Sequence, residues 1–436
     1  MQSQPAPGTA SVAVSIRCSL PVEGLPMKVK TIPSTWITAE GRRLDCGPFM
    51  SGALEARMIL SQLTQRKDRL REVTQNGIDG IVNAGRVKRL WVDNPAHGIP
   101  FLSSSDILQA DLSTAPLISK KVVADYPQLV IRQGWTLITR SGTIGRMVYA
   151  RPDMDGMGCS EHVMRVIADP ARIPPGYLYA FLSSQYGVPM VVGGTYGSII
   201  QSIEPHHIAD LPVPRLGEAV EQRAHALVEE AAQKRSLAAN IFAAALRELE
   251  ELAGLPRLTT PQSSAPFDIS VVSSKTIRGR FDAFFHSRYQ TEAILALRES
   301  GYPTIYVKDF ADSIIEPLRF KRIPVEDTEY GIPFFGTSAM MWIDPQPTYH
   351  LPRRMVGIDN YLVDERTVLI PRSGQLNGVI GTAVLPIGSL IGGAITEDAI
   401  RLNCGTSTDA GYLLIALRSD YGMRQVKARA FGSSIP

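Results

Sequence analysis

The longest regular pattern of apolar and polar positions in the chain lies between Gly217 and Gly254. The stretch is rich in Ala, Leu, Glu, Gln and Arg, which are strong helix formers. Apolar residues recur there at steps of four and three, the heptad pattern of a coiled-coil seam. These positions are Val220, Ala224, Leu227, Ala231, Ala238, Ile241, Ala245 and Leu252. We therefore predict a helix, roughly 55 Å long, that ends at Gly254 and Pro256.

Shorter patterns on both sides predict a mixed α/β fold. Helical periodicity is found at about 52–73, 175–186 and 287–299. The second of these helices places Tyr177, Phe181 and Leu182 on its buried side. β-rich runs such as 135–139 and 367–371 are separated by clusters of Gly, Pro and Asp. An ordinary amphipathic helix inside one globular domain remains the alternative interpretation of the long helix.

The chain repeats its own sequence, in the same order, on the two sides of this helix. Gly98–Ser105 recurs as Gly331–Ser338, and Tyr177–Gly187 recurs as Tyr412–Gly422. Shorter matches join Arg43-Leu-Asp45 with Arg280-Phe-Asp282, Arg140–Gly142 with Arg372–Gly374, and Tyr196–Ser198 with Phe431–Ser433. We therefore predict two α/β copies of one domain joined by a spacer helix. The predicted boundaries are a tail over 1–39, a first domain over 40–215, the helix over 216–254, a linker over 255–276 and a second domain over 277–436.

Composition restricts the class of protein. A chain of 436 residues is too long for one ordinary core and fits two or three domains. A net charge of +3 neither requires nor excludes nucleic acid, so any basic surface must be local. The cysteines Cys18, Cys46, Cys159 and Cys404 fit no zinc spacing and are expected as buried free thiols. The sequence shows neither a signal peptide nor a membrane span, and we predict a cytoplasmic protein with a flexible N-terminal tail.

The residues that could carry catalysis do not form a familiar set. The chain has no phosphate-binding P-loop and no dinucleotide-binding glycine motif. We interpret His206-His207 as part of a loop, and Glu161-His162 as structural or hydrogen-bonding. Asp153 with Glu161 superficially resembles a nuclease core, but Val163 stands where that core requires a lysine. We therefore predict no catalytic residues and no metal site.

Basic pairs and small polar loops recur in both copies. The segment Arg86–Arg89 is matched by Arg319–Arg322, and Lys120-Lys121 by Arg353-Arg354. Guanidinium and ammonium groups bind phosphates, and Arg also contacts guanine edges through two hydrogen bonds. Any single pair could be an ordinary solvated surface, but the recurrence favours a shared anionic partner. The candidate DNA-binding residues are Arg86, Lys88, Arg89, Ser103, Ser104, Lys120, Lys121, Arg140, Ser141, Thr143, Arg146, Arg319, Lys321, Arg322, Thr337, Arg353, Arg354, Arg372 and Ser373.

Taken in order, these motifs resemble the specificity subunit of type I restriction-modification systems. The motifs that carry the resemblance are Arg43-Leu-Asp45, Gly98–Phe101, Arg140–Arg146, Tyr177–Gly187, Gly197–Ile203, Leu211–Pro214 and the long helix. The resemblance covers nearly the whole chain beyond residue 40. No single motif is decisive, whereas their order and its repetition are quite specific.

The resemblance implies a non-catalytic subunit that binds double-stranded DNA. Each copy would be a target recognition domain for one half of a bipartite site, and the helix would set the spacing. The subunit would dock two adenine-N6 methyltransferase subunits and, through them, the ATP-driven restriction subunit. It would need no cofactor of its own, because S-adenosylmethionine, ATP and Mg would belong to those partners. The predicted partner-binding positions on the helix are Val220, Leu227, Ile241 and Leu252.

The sequence departs from the family pattern in two places. The family has a second long helix after the second domain, whereas this sequence ends at Ser434-Ile-Pro436. We therefore expect either a fragment or a chain that borrows a helix from another subunit. Gln375–Gly378 also differs from Thr143–Gly145 of the first copy. The alternatives are an enzyme with a reduced nuclease or transferase site, and an inactive remnant or scaffold.

Overall fold

The computed structural model describes residues 13–17, 29–39, 47–142, 144–193, 202–258, 269, 271–374 and 378–431. The chain folds into two compact units, Met1–Ser236 and Leu237–Pro436. Both units are mixed α/β. Several sequence motifs lie outside the described residues, namely Cys18, Cys46, Arg43-Leu-Asp45, Thr143, Tyr196–Ser198 and 375–377.

The first unit consists of short strands with helices between them. Its strands are β1 (Ala13–Arg17), β2 (Val29–Pro33), β3 (Lys67–Arg69), β4 (Ile81–Asn83), β5 (Trp91–Val92), β6 (Gly98–Leu102), β7 (Leu117–Ser119), β8 (Thr136–Thr139), β9 (Met147–Tyr149), β10 (Gly158–Cys159), β11 (Val163–Val166) and β12 (Pro212–Pro214). Its helices are α1 (Ser34–Ala39), α2 (Gly47–Met50), α3 (Ala53–Gln62), α4 (Leu70–Val73), α5 (Lys120–Asp125), α6 (Pro175–Leu182), α7 (Gly187–Gly193) and α8 (Pro205–Ile208).

Two sheets carry most of the first unit. One has the strand order β10-β6-β7-β5, and the other has the order β4-β11-β8-β9. Every residue of β8 and β11 is buried, including the polar Thr136 and Thr139 and the charged Arg165. The main core packs α6 against this second sheet through Tyr177, Phe181 and Leu182, so the predicted buried side of that helix is confirmed. The smaller pair β12-β3 leads into the long helix.

The long helix, α9, spans Glu218–Leu252, close to the predicted bounds. Its 35 residues correspond to about 52 Å at 1.5 Å per residue. The division between the two units falls inside this helix, after Ser236. Gly254 has a φ of 60°, the left-handed conformation expected after a helix C-terminus.

The second unit contains the remaining elements. Its strands are β13 (Ser313–Ile315), β14 (Gly331–Phe335), β15 (Tyr349–Pro352), β16 (Thr367–Pro371), β17 (Ala394–Ile395) and β18 (Ala399–Asn403). Its helices are α10 (Ser274–Ile277), α11 (Arg288–Glu299), α12 (Val307–Phe310), α13 (Ser407–Arg418) and α14 (Asp420–Ala428). The sheets have the orders β13-β18-β16 and β15-β14-β17.

Strand pairings recur between the two units. In the first, β6 pairs antiparallel with β7 and parallel with β10. In the second, β14 pairs antiparallel with β15 and parallel with β17. The antiparallel pairs β8–β11 and β16–β18 also correspond. A Cβ on Gly187 would lie 2.3 Å from the carbonyl oxygen of Phe181, and one on Gly422 would lie 2.2 Å from that of Ala416. The repeated Tyr-Gly motif therefore ends in a glycine because the backbone leaves no room for a side chain.

Some predicted elements differ from the structure. The helix expected over 52–73 ends at Gln62, and a strand and a one-turn helix follow, since β3 pairs with β12. Within the first 26 residues, which were expected as a flexible tail, β1 forms an antiparallel pair with β2, and helix α1 follows β2. His206 and His207, expected in a loop, lie in α8, where His207 Nδ1 accepts a hydrogen bond from the Glu204 amide. Local contacts of this kind leave little trace in hydrophobic periodicity.

Candidate nucleic-acid interface

The predicted basic segments of the first unit converge on the dipeptide Glu161-His162, which directly precedes β11. The amide of Ser160 donates to the carbonyl of Leu102 at 3.0 Å, which places the loop after β6 beside this dipeptide. The amide of Arg140 donates to the carbonyl of His162 at 3.0 Å, which adds the loop after β8. The two loops meet here because β10, which pairs with β6, is followed closely in the chain by β11, which pairs with β8.

Arg89 and Arg86 bring the third segment to the same point. Arg89 Nη2 lies 3.0 Å from Glu161 Oε2, and Arg86 Nε lies 3.6 Å from Oε1. The Arg86 side chain is 84% exposed and that of Arg89 is 33% exposed, against 12% for Glu161. Burial alone would raise the pKa of Glu161, but hydrogen bonds from the backbone and from Arg89 outweigh it and lower the pKa. Glu161 is therefore a carboxylate at neutral pH.

Lys120 and Lys121 lie next to this segment across β5 and β7. Trp91 pairs with Ile118, and the amide of Ser119 donates to the carbonyl of Leu90 at 2.8 Å. Continuing this antiparallel register places Arg89 opposite Lys120, at the same end of the two strands. Lys120 Nζ donates to the carbonyl of Ala96 at 3.0 Å. Lys121 is exposed at the start of α5.

Arg140 is held mainly by the protein itself. Its guanidinium donates to the carbonyls of Ile203 at 3.0 Å and Glu161 at 3.1 Å, and it also pairs with Glu204. The side chain is only 16% exposed. Ser141 Oγ and His162 Nδ1 share a hydrogen bond of 2.7 Å. These contacts fix the conformation of the loop after β8, so the role of Arg140 is to stabilise that loop.

The second unit repeats the cluster around Glu397-Asp398, which precedes β18. Arg322 Nη2 lies 2.7 Å from Glu397 Oε1, and Arg319 Nη2 lies 3.9 Å from Asp398 Oδ1. Arg372 Nη2 lies 3.2 Å from Asp398 Oδ1. Burial would raise the pKa of Glu397, but the hydrogen bond from Arg322 and a backbone hydrogen bond outweigh it and lower the pKa.

The second basic pair of this unit also matches the first unit. Arg353 Nε donates to the carbonyl of Glu329 at 3.1 Å, as Lys120 does to that of Ala96. The amide of Arg353 donates to the carbonyl of Tyr330, and that of Lys120 to His97. Arg354 is exposed beside it, as Lys121 is. In both units one member of the pair fixes a turn and the next extends into solvent.

The remaining predicted residues surround these clusters. Ser103 receives a hydrogen bond from Ser105 or donates one to it at 2.9 Å, and its amide donates to Asp106 at 2.8 Å. Lys88 and Lys321 are exposed. Half-buried positions are occupied by Ser104, Arg146, Thr337 and Ser373. Thr143 lies outside the described residues.

Sequence patterns did not identify the acidic partners of these arginines. From the sequence we predicted a hydrogen-bonding role for Glu161-His162 but did not predict Arg86 or Arg89 as the partners. We predicted no role for Glu204 or Glu316. Glu316 pairs with Arg372 and Glu204 pairs with Arg140. The usable signal was the recurrence of an acidic residue in front of the same strand in both copies.

The groups of the suggested nuclease core are engaged in protein contacts. Asp153 accepts two hydrogen bonds of 3.0 Å from Arg151, and Ser236 Oγ donates to it at 2.5 Å. Glu161 is occupied by the two arginines described above. Both carboxylates are therefore paired with arginines of the protein itself. Within the described residues, no group of three His, Cys, Asp or Glu side chains is arranged to hold a metal ion.

Helix α9 contacts the first unit through a polar face. Arg215 binds Glu221 through two hydrogen bonds of 3.1 and 2.7 Å and lies 2.9 Å from Asp68. Farther along, His225 Nδ1 accepts from the amide of Gly176 at 3.1 Å. Glu229 accepts a hydrogen bond from the Tyr149 hydroxyl. These residues, together with Ser236, follow one stripe of the helix.

The predicted heptad seam lies on other faces of the helix, and its large apolar side chains are exposed, whereas Ala224 and Ala245 are half-buried and Ala224 packs against the main core. The exposed fractions are 51% for Val220, 52% for Leu227, 60% for Ile241 and 69% for Leu252. Leu237 adds a further exposed apolar side chain at 57%. Large apolar side chains at regular helical spacing favour a protein partner over solvent. None of the described helices is long and apolar enough to cross a membrane.

Comparison with solved structures returned restriction-modification proteins. One is the type I restriction-modification system S subunit from M. genitalium, 13% identical, with 84% of this chain and 79% of that chain aligned at a TM-score of 0.27. Another is the HsdS subunit from Thermoanaerobacter tengcongensis, 15% identical, with 84% and 81% aligned at a TM-score of 0.26. The chain is similar to type I specificity subunits.

A smaller part of the chain also aligns with a restriction enzyme. The type IIG restriction endonuclease BpuSI is 13% identical, with 47% of this chain and 31% of that chain aligned at a TM-score of 0.30. No protein-family model and no curated protein matched the sequence.

Proposed function

We propose that this chain is the DNA-recognition subunit of a type I restriction-modification complex, in which each unit binds one half of a bipartite site. The observation that carries the proposal is the recurrence of one basic cluster in both units. Arg86 and Arg89 surround Glu161 as Arg319 and Arg322 surround Glu397-Asp398. A duplicated basic surface on a duplicated α/β domain fits a polyanion with two related binding sites.

The exposed members of each cluster are suited to phosphate. Arg86 and Lys88 extend from the segment before β5, and Lys121 extends from the start of α5. Cationic side chains on loops position a protein on the DNA backbone, while base edges are contacted from within the grooves. A net charge of only +3 requires any basic surface to be local, as one cluster in each unit would be.

The exposed apolar stripe of α9 supplies the docking surface for the methyltransferase subunits. Leu227 and Ile241 belong to the same heptad position, two heptads apart, and both are more than half exposed. A helix whose apolar seam faces solvent is stabilised when a partner covers it. S-adenosylmethionine, ATP and Mg would enter the complex with such partners, and catalysis would be theirs.

The test is a comparison of N6-methyladenine across the genome of the source cell with and without this gene. We expect methylation to vanish at one motif that consists of two short specific halves with a fixed gap. Reintroducing the intact gene should restore the same motif. An unchanged methylation pattern would overturn the proposal. Divalent-metal-dependent cleavage of DNA by the purified chain alone would instead favour the enzyme alternative.

A further inference from the structure

Each unit contains a carboxylate in the middle of the basic segments that are proposed to contact DNA. Glu161 lies between Arg86 and Arg89 in the first unit, and His162 Nε2 is 3.6 Å from the same carboxylate. Glu397 lies beside Arg322 in the second. A carboxylate so close to a DNA surface repels phosphate, so its recurrence at the same place calls for a compensating role.

The glutamate contact fixes one end of an arginine. Arg89 donates to Glu161 through Nη2 at 3.0 Å, and Arg322 donates to Glu397 through Nη2 at 2.7 Å. The same nitrogen is used in both units. In Arg89, the second hydrogen of Nη2 and the hydrogens of Nη1 form a fork of donors beside this contact. In Arg322, Nη2 also donates to Thr396 Oγ1 at 3.5 Å, so there the fork consists of the other guanidinium nitrogens.

An aromatic ring restrains the plane of the same arginine. The Arg89 guanidinium carbon lies 5.4 Å from the ring centroid of Phe101, and that of Arg322 lies 5.2 Å from the centroid of Phe334. Phe101 and Phe334 occupy the same position of the repeated Gly-Ile-Pro-Phe motif. A charge-assisted hydrogen bond and a cation–π contact together limit the rotation of the side chain.

The simpler explanation is an ion pair that only stabilises the fold. Ion pairs between partly exposed side chains contribute little to stability. A stabilising role therefore does not explain well why the same pair is present in both units. The arginine side chains remain about one-third exposed, while the glutamate side chains that bind them are nearly buried. A guanidinium that is fixed by a buried carboxylate but still exposes hydrogen-bond donors is suited to bind a second group from outside the protein.

We infer that Glu161 and Glu397 are positioning residues that hold Arg89 and Arg322 for contact with the O6 and N7 atoms of a guanine, one in each half of the target. The inference rests on the proposed function, and it specifies that each unit prefers a G·C base pair at one position of its half-site. The outer residues Arg86 and Arg319, which are largely exposed, contact the backbone. A correct bidentate contact to guanine discriminates against other bases by about ten- to a hundredfold.

The test is selection of random-sequence DNA duplexes by the purified full-length chain, followed by sequencing of the bound fraction. We expect the wild-type chain to select a motif with a guanine in each half. Glu161→Gln should reduce the preference for guanine at one position of one half of the motif by about tenfold or more. Glu397→Gln should do the same in the other half. Both changes should raise affinity for unselected DNA, because each removes a negative charge and releases an arginine.

Conservative variants separate positioning from folding. Arg89→Lys keeps the positive charge but lacks the fork, so it should lose the same guanine preference as Glu161→Gln. Glu161→Asp should restore part of that preference. Asp79→Asn removes an exposed carboxylate from the first unit and serves as a matched control that leaves the motif unchanged.

The possible results of this selection separate failure of the proposed function from failure of the positioning role of Glu161 and Glu397. A wild-type chain that selects no motif overturns the proposed function. A wild-type motif that persists unchanged in Glu161→Gln and in Arg89→Lys overturns the positioning role and leaves the proposed function intact. A uniform loss of affinity in Arg89→Lys without loss of base preference would show a backbone contact and also overturn the inference.

Discussion

Arg165 and Arg401 make the same set of hydrogen bonds in their respective units. Each donates through Nη2 at 2.7 Å to the carbonyl of the residue six positions earlier, which is Cys159 or Ile395. Each also donates through Nη1 to the carbonyl two positions earlier. Both side chains are almost fully buried. A buried guanidinium thus ties together the backbone that precedes β11 and β18, where the acidic dipeptides lie.

Arg165→Met should destabilise the first unit by about 3 kcal/mol, because the carbonyl oxygens around it would lose their donor inside the core. Arg401→Met should act alike in the second unit. Burial lowers the pKa of Arg401 only to about 10, so the wild-type group stays charged at neutral pH. Denaturant unfolding would measure the loss. Arg132→Met, at an exposed ion pair, is the control and should change little.

Glu221→Ala should loosen the attachment of α9 to the first unit. Glu221 is buried and binds Arg215 through two hydrogen bonds, so its removal leaves a partly buried guanidinium with less compensation. The expected cost is about 3 kcal/mol. Hydrogen exchange of the amides after residue 221 would report the loosening. Glu230→Ala removes an exposed partner of Lys234 on the same helix, and equal effects of the two changes would refute this assignment.

Leu227→Gln and Ile241→Gln should leave the isolated chain as stable as the wild type, because both side chains are mostly exposed. The same changes should abolish binding to a methyltransferase encoded beside the gene, since they interrupt the apolar stripe. Co-purification and thermal unfolding would measure the two effects. Gln233→Ala, at an exposed polar position of the helix, is the matched control. Retained binding by the double variant would exclude the stripe as the docking surface.

Arg86→Ala and Lys88→Ala should each reduce the salt dependence of DNA binding by roughly one unit of slope, as expected for a lost phosphate contact. Arg140→Ala should act mainly on stability, because its donors are used by Ile203, Glu161 and Glu204. Titrations at several salt concentrations would check this. Arg298→Ala removes an equal charge from helix α11 and should keep the slope. A slope unchanged in Arg86→Ala would remove that residue from the interface.

The contribution of Asp68 to stability should be lost in acid. Burial would raise its pKa, but hydrogen bonds from Arg215 and Arg66 outweigh it and lower the pKa below its ordinary value. The stabilisation is therefore fully present above the unfolded pKa of about 3.9 and disappears as the pH falls through the folded value. Asp68→Asn should be less stable than wild type at neutral pH, and the difference in unfolding free energy should shrink near pH 3. A constant difference would contradict this.

Much of the secondary structure followed from the sequence. The bounds of α9 and α11 and the strands at 136–139 and 367–371 agree with the periodic patterns, because each buries a continuous apolar run or forms a long helix. The helix expected over 52–73 was too long, since Lys67–Arg69 pairs with a strand far along the chain. Nothing local to those residues indicates that pairing.

The candidate interface was predictable in part. The repeated basic segments could be found by comparing the sequence with itself, and the structure shows which of them lie together. The pairing of Arg89 with Glu161 joins residues that are distant in sequence, so no spacing rule reveals it. The fixed role of Arg140 likewise depends on Glu204, which only the fold brings near. Contact between the exposed cations and DNA stays a prediction for the experiments above.

The polar contacts between α9 and the first unit have a consequence for assembly. Apolar surfaces tolerate small rotations and shifts, whereas hydrogen bonds are directional and weaken steeply when misaligned. The bonds of Glu221, His225 and Ser236 therefore set the rotation of the helix about its own axis. Val220 and Leu227, which lie on another face of the same helix, are therefore held in one orientation within the first unit. A subunit that binds these two side chains would acquire a defined orientation towards the basic loops around Glu161, before any DNA is bound.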